Sequence, residues 1–352
     1  PTCYVDCGKR AATDENGEFR IAGLSGDLIF NLLVVREGFV AKMVKQVDPA
    51  QGTAPTTEMK KRLAPEDASQ TVLGKILDAT GKPVKDALIA QQDVIFDQGR
   101  MFGADDQWID PISVSNALGE FEMSFSEKAK AMILEVAPRG MAPKMVTLDT
   151  GTGRHRVTVT DGAVVKGRLM NGKTPVANTQ LVLSTHSRAG GSVFKDVRIG
   201  TNENGEFAIS NVPAGRVWDL FPAMNALATM GLAAPVTFVA TEDDGQEVQA
   251  GDIQVKPAHT LRGRIVLSDG SPIPAGMRLS IFADRVPDRQ TVDLPPDGTY
   301  EFKGLGRGVY SLSPAVKGYR RDNPDQQVEI VIDGDRKAYN LTLIPSSGTA
   351  KR

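Results

Sequence analysis

One phrase recurs four times in this chain: a polar turn ending in Gly, one residue, then an aromatic. The copies are Asp14-Glu15-Asn16-Gly17-Glu18-Phe19, Asn116-Ala117-Leu118-Gly119-Glu120-Phe121, Asn202-Glu203-Asn204-Gly205-Glu206-Phe207 and Pro296-Asp297-Gly298-Thr299-Tyr300. The turn glycines lie 102, 86 and 93 residues apart. Recurrence at domain-sized intervals predicts tandem copies of one small domain.

Each copy reads as short strands bounded by Gly, Pro, Asn or Asp. In the third, Val164–Leu169 alternates, Asn171-Gly172 turns tightly, Gln180–Leu183 forms a second strand, and Glu206–Ile209 follows the repeated phrase. Phe207 and Ile209 share one face by the two-residue period. The second copy runs Val72–Leu77, Ala87–Ile89, Gly119–Met123, and the fourth Leu261–Val266, Leu279–Ile281, Gly298–Phe302 and Gly308–Leu312. This pattern predicts an all-β chain, a tandem array of small Ig-like or transthyretin-like β-sandwiches. No stretch shows a helical period with caps. The 35 Gly and 21 Pro suit many strands joined by turns.

The boundaries expected are 1–64, a partial sandwich holding the second half of a repeat, then 70–158, 162–256 and 260–346. The linkers Leu63–Gln70, Thr150–Gly162 and Lys256–Thr260 are short and predict a semi-rigid rod. Because the first copy lacks opening strands, Pro1 is not expected to be the native start, and the missing strands are expected from preceding residues or from a neighbouring molecule by strand addition. The four repeat aromatics, Phe19, Phe121, Phe207 and Tyr300, are expected to point into their own cores.

The phrases Asp78-Ala79-Thr80-Gly81-Lys82-Pro83-Val84, Ser268-Asp269-Gly270-Ser271-Pro272-Ile273, Gly304-Leu305-Gly306-Arg307-Gly308 and Gly318-Tyr319 resemble those of carboxypeptidase regulatory-like domains. The resemblance implies a transthyretin-like seven-stranded sandwich. It implies little about function, since such modules accompany peptidases, transporters and adhesins. The third copy lacks the closing Gly-Tyr.

Net charge is −2, which gives no global attraction to nucleic acid. No apolar run reaches the ~18 residues that span a bilayer; the longest, Leu28–Val35, reads as a buried strand. His155, His186 and His259 have no Cys, Asp or Glu at metal-ligand spacing, and no zinc-peptidase motif occurs. Cys3 and Cys7 would sit about 13 Å apart on one strand, too far for a disulfide, though a turn would bring them together. No G-x-S-x-G occurs, and Gly304–Gly308 precedes a strand, so it reads as a turn and not as a phosphate loop. The Asx-Gly turns bind their own backbone and lack the distant Glu of a calcium loop. Lys75 and Lys166 occupy first-strand positions where Lys–Asn isopeptide bonds arise in similar surface sandwiches, but neither has an Asn partner in a last strand, and the fourth copy carries Arg264 there.

No catalytic residue, cofactor or metal is expected. Two segments break the repeat as loops: Gln91–Ser113, with Phe102, Asp105, Asp106 and Trp108, and Ser184–Asp196. Such insertions hold partner or glycan contacts on a rigid scaffold, or fold back over the sandwich end; Trp218 is expected in the core. The leading expectation is a non-enzymatic extracellular, cell-surface or periplasmic array acting as spacer or interaction module. The alternatives are an accessory region of a larger peptidase or glycan-active enzyme, and a carbohydrate-binding array.

Overall fold

The computed structural model describes residues 11–24, 26, 29–36, 38–39, 42–52, 55–61, 67–102, 112–125, 127–185, 197–323, 329–334 and 338–346. The chain is all-β, built of successive sandwiches after an incomplete first copy. It forms two compact units, one of residues 1–163 with 211–214, the other of 164–210 with 215–352.

In the first unit, β1 (Phe30–Val34) pairs antiparallel with β2 (Lys42–Val47). None of the described residues of 11–61 is buried. The apolar run expected as a buried strand is therefore only partly covered. Two strands alone present no second apolar face to pack on. Phe19 departs from expectation for the same reason: its ring is 39% exposed.

The sandwich that follows opposes two sheets. One contains β3 (Thr71–Leu77), β7 (Glu120–Ser124) and β10 (His155–Thr158), in the order β10-β3-β7. The other contains β4 (Leu88–Phe96), β5 (Gly99–Phe102), β6 (Ile112–Val114), β8 (Ala131–Ala137) and β9 (Lys144–Asp149), in the order β5-β4-β8-β9, with β6 beside β4. Val72, Ile76, Ile89, Phe121, Met132, Leu134 and Val157 fill the space between them. Each large side chain so buried contributes about 1.5–3 kcal/mol.

The second unit holds two further sandwiches. The first pairs β11 (Ala163–Asn171) with β12 (Thr174–Pro175), β15 (Glu206–Val212) and β19 (Glu247–Gln254). Opposite lie β13 (Gln180–Thr185), β14 (Val197–Gly200), β16 (Arg216–Pro222) and β18 (Thr237–Thr241), ordered β14-β13-β16-β18. Trp218 is buried as expected, and its Nε1 donates to Thr241 Oγ1 at 3.0 Å. Between β16 and β18 come helix α1 (Met224–Ala228) and β17 (Leu232–Ala233), which pairs with β20 (Lys256–Pro257).

The last sandwich places β21 (His259–Leu267), β24 (Thr299–Leu305), β26 (Tyr319–Arg321) and β28 (Leu341–Pro345) in the order β24-β21-β28-β26. Facing them are β22 (Arg278–Ala283), β23 (Arg289–Asp293), β25 (Gly308–Ala315) and β27 (Glu329–Ile332), ordered β23-β22-β25-β27. Leu261, Ile265, Leu279, Ile281, Phe302, Leu312 and Leu343 form its core.

Three sequence readings change here. Helix α1 was not expected; at five residues it is too short to show a period. The segment 150–162, expected as a linker, contains β10, which shows only one buried residue, Val157, to reveal it. The segment 256–260 likewise contains β20 and the start of β21.

The repeated phrase has the same mechanics in each complete copy. The turn Asx oxygen accepts backbone N–H groups: Asn116 Oδ1 from Leu118 and Glu120, Asn202 Oδ1 from Asn204 and Glu206, Asp297 Oδ1 from Thr299. The turn glycine adopts positive φ and lies against the first strand. A Cβ there would stand 2.4 Å from Ile76 O at Gly119, 2.5 Å from Leu169 O at Gly205 and 2.0 Å from Ile265 O at Gly298. The aromatic is buried in all three, with Phe121 at 5%, Phe207 at 5% and Tyr300 at 6% exposure. Each ring covers a first-strand glycine: a Cβ on Gly74 would meet Phe121 at 2.3 Å, one on Gly167 Phe207 at 2.6 Å, and one on Gly263 the Tyr300 hydroxyl at 2.6 Å. In the first copy Asp14 Oδ1 makes the same turn, accepting from Asn16 and Glu18. A Cβ on Gly17, however, would meet nothing.

Turn carboxylates contribute to the acid response. The Thr80 hydroxyl, then the Lys82 N–H, lower the Asp78 carboxyl below its ordinary 3.8. The Ser271 N–H, then the Tyr319 hydroxyl, do so for Asp269, and the Thr299 N–H, then its hydroxyl, for Asp297. The native state thus binds fewer protons than the unfolded chain near this range. Stability is present above 3.8 and lost as pH falls through the lowered native values. At the alkaline limit burial raises Tyr310 to about 12 from 10.0. That contribution is full below pH 10 and is lost as pH rises through about 12. Melting temperatures from pH 2 to 12 should show a plateau with these two shoulders; an acid limb beginning near neutrality would contradict the assignment.

Candidate functional site

The expected contact residues were Phe102, Asp105, Asp106 and Trp108. Phe102 ends β5; its side chain and the other three residues lie outside the described residues, as do Cys3, Cys7, His186, Arg188 and Phe194. The segment 91–113 is not a loop throughout. Residues 91–96 continue β4, 99–102 form β5 and 112–113 lie in β6. The run Gln91-Gln92-Asp93 concealed the strand because polar residues interrupt its apolar alternation. Gln91 and Asp93 are nonetheless buried. Arg100 pairs with the Asp93 carboxylate across the β4–β5 hairpin. On β8 the buried Glu135 accepts from Gln92 Nε2 at 2.8 Å. Paired and hydrogen-bonded charges of this kind fix a hairpin in one arrangement.

A concave surface lies in the second unit, between its two sandwiches. It is a cleft of about 740 Å³ floored by Phe221, Val236, Val286 and Tyr310, with Phe238 at its side. Phe238 is 60% exposed although it lies on edge strand β18. Arg285, Arg307, Asp219 and Asp284 add charge to the lining. Val182, Phe221 and Ala223 of one sandwich pack directly on Val286 of the other. Tyr310 donates to Gly306 O at 3.0 Å, which holds the turn before β25. What this surface offers is apolar area with a charged margin, suited to binding.

Helix α1 builds the floor of this junction. Met224 lies buried in the core of the following sandwich. The Met224 N–H donates to Asp288 Oδ2 at 2.7 Å, so a carboxylate from the neighbouring sandwich caps the helix. Close approach requires glycine at position 304: with φ 75°, a Cβ there would stand 2.6 Å from Ala228 Cα. Sequence reasoning missed this set. Its only signal was the crowding of small residues at Ala223, Ala226 and Ala228, which carries no period. Asp288→Ala should expose the α1 amides to exchange about ten- to a hundredfold faster, from a charge-assisted bond worth about 1.5–3 kcal/mol. Hydrogen exchange over 223–228 measures it, and unchanged protection would show that packing alone holds the helix.

The remaining candidates resolve into structural roles. His155 Nε2 lies 2.8 Å from Asp149 O and 3.0 Å from Thr152 Oγ1, at a strand start. Lys166 Nζ meets Glu247 Oε2 at 2.5 Å on the surface, and Lys75 stands beside Arg156. At the equivalent place in the last sandwich, the Arg264 N–H donates to Asn340 Oδ1 at 2.9 Å. Among the described residues no group of three or more His, Cys, Asp or Glu is placed to hold a metal ion, and no helix is long and apolar enough to cross a membrane.

No family model matches this sequence, and no curated protein sequence matches it. Among solved structures the chain is similar to the Bacillus anthracis TIE protein, at 14% identity and a TM-score of 0.25, over 95% of this chain and 65% of that one. It is also similar to a Streptococcal ancillary pilin (15% identity, TM-score 0.28, 79% of this chain and 99% of that one). A third is GBS52, the minor pilin of Streptococcus agalactiae (13% identity, TM-score 0.28, 54% and 99%). These scores are low, and the architecture rests on the chain's own sheets.

Proposed function

We propose that this chain is a non-enzymatic structural array, a spacer on a bacterial surface in an extracellular or periplasmic setting. One observation carries the reading. In every complete sandwich the first strand lies parallel and adjacent to the last: β3 with β10, β11 with β19, β21 with β28. Parallel neighbours start at the same end, so the chain enters each sandwich at one end and leaves at the other. Each copy thus adds its own length to the path of the chain. The boundaries 70–158, 162–256 and 260–346 suit this reading, with 1–64 a partial copy, and the strand phrases suit carboxypeptidase regulatory-like modules. Among the described residues β1 and β2 pair only with each other, which suits completion by a strand from a neighbouring molecule.

The test is made on cells. Protease should release peptides of this chain from intact cells, or, for a periplasmic chain, once the outer membrane is opened, and deleting 162–346, both sandwiches of the second unit, should draw a terminal epitope up to about 60 Å nearer the surface, twice the span of a nine-residue strand. Protection of the chain from protease, or an unchanged stand-off, would overturn the spacer reading.

A further inference from the structure

The strands paired in parallel are also those by which tension would reach each sandwich. Pulling the two ends apart slides the first strand against the last. The bonds between them lie across the force and are loaded together, so resistance grows with the length of the ladder and its cross-links. Rupture then follows the unfolding rate and not the equilibrium stability.

The three ladders differ. In the middle sandwich β11 pairs with β19 from Val164 to Met170, and bonds at both ends extend it: Val164 N to Gln246 O and Val255 N to Met170 O, each 2.8 Å. Side chains cross it as well. Lys166 meets Glu247, Arg168 binds Asp252 through Nε at 2.8 Å and Nη2 at 2.9 Å, and the Gln254 amide bonds both Gly172 N and Gly172 O. In the preceding sandwich the register is shorter, from Gly74 to Leu77, with Gly151 N to Thr71 O at 3.1 Å and Val159 N to Leu77 O at 2.9 Å beyond its ends, and like charges, Lys75 and Arg156, stand side by side on it. In the last sandwich the register covers only Ile265 to Leu267, with Tyr339 N to Arg262 O at 2.8 Å and Ser268 N to Leu343 O at 2.9 Å beyond its ends; between them the Asn340 side chain takes the place of a backbone partner for Arg264 N.

We infer that the array yields in a set order under tension: the sandwiches of 70–158 and 260–346 extend first, and that of 162–256 holds longest. The use of this order to a cell rests on the spacer reading, but the order itself does not.

The experiment is single-molecule stretching of the full chain, in which each sandwich should lengthen the path by about 30 nm. A Gly-Ser insertion in the exposed turn Asp243–Gly245 marks the middle sandwich by a longer step. That step is expected last and at the highest force. Lys166→Ala with Arg168→Ala should speed its rupture about two- to fivefold, as exposed pairs are worth, and leave the other steps alone. Lys75→Glu, which sets an opposite charge beside Arg156, should slow rupture of the 70–158 step. Thermal melts confirm that each variant folds. A marked step that comes first, or one indifferent to both Ala substitutions, overturns the ladder argument and leaves the spacer reading standing. The expected order in a chain that protease cannot reach even with the outer membrane opened overturns only the latter.

Discussion

Phe207→Ala should cost its sandwich about 3–5 kcal/mol, enough to unfold a domain of this size. The ring is buried, as are Ile209 and Trp218 of the same sandwich, and it closes over Gly167. No small rearrangement refills the space, because the glycine beneath it offers no side chain. The same change at Phe19 should stay within about 0.5 kcal/mol, as at other exposed positions. Denaturant melts of the two variants make the comparison. A large loss at Phe19 would mean that its ring is enclosed by residues beyond those described here.

The second large effect concerns the turn glycine. Gly205→Ala meets two obstacles: a backbone at φ 71°, and Leu169 O at 2.5 Å from the new Cβ. The left-handed backbone costs about 1–2 kcal/mol, and forcing a carbon against a fixed carbonyl about 1–3 more. Gly17→Ala, at φ 80° with open space around it, should cost the first of these only. Thermal unfolding separates the two. Equal losses would show that backbone conformation, and not the fit against the first strand, explains the glycine.

These pairs also show what could be read in the sequence. The phrase ending in Gly-x-aromatic announced the sandwiches because turn, strand and core residue follow one another along the chain. Spacing then placed Phe121, Phe207 and Tyr300 in their cores. It misplaced Phe19 because burial depends on an opposite sheet, which a local phrase does not contain. The first-strand glycines Gly74, Gly167 and Gly263 were visible in the sequence, but their reason is a ring about forty residues later. Strand β10 hid because a last strand needs few apolar residues when its neighbour supplies the ladder. The β4–β5 hairpin hid behind Gln91, Gln92 and Asp93; Arg100 pairs with Asp93, and Glu135 accepts from Gln92 across the sheet. The cleft and α1 belong to two sandwiches at once. Asp288 and Gly304 acquire their roles only when the copies meet.

That last junction limits how such a gene can change. Opposite entrance and exit let a copy be duplicated or lost without redirecting the chain, so arrays of this kind lengthen by whole units. The copies at 162–256 and 260–346 are an exception. Helix α1 is furnished by one, while its carboxylate cap and the glycine that admits it are furnished by the other. Recombination that replaced either alone would bring a side chain against Ala228 or leave Met224 without its acceptor. These two are expected to be inherited together, as one cassette of two sandwiches.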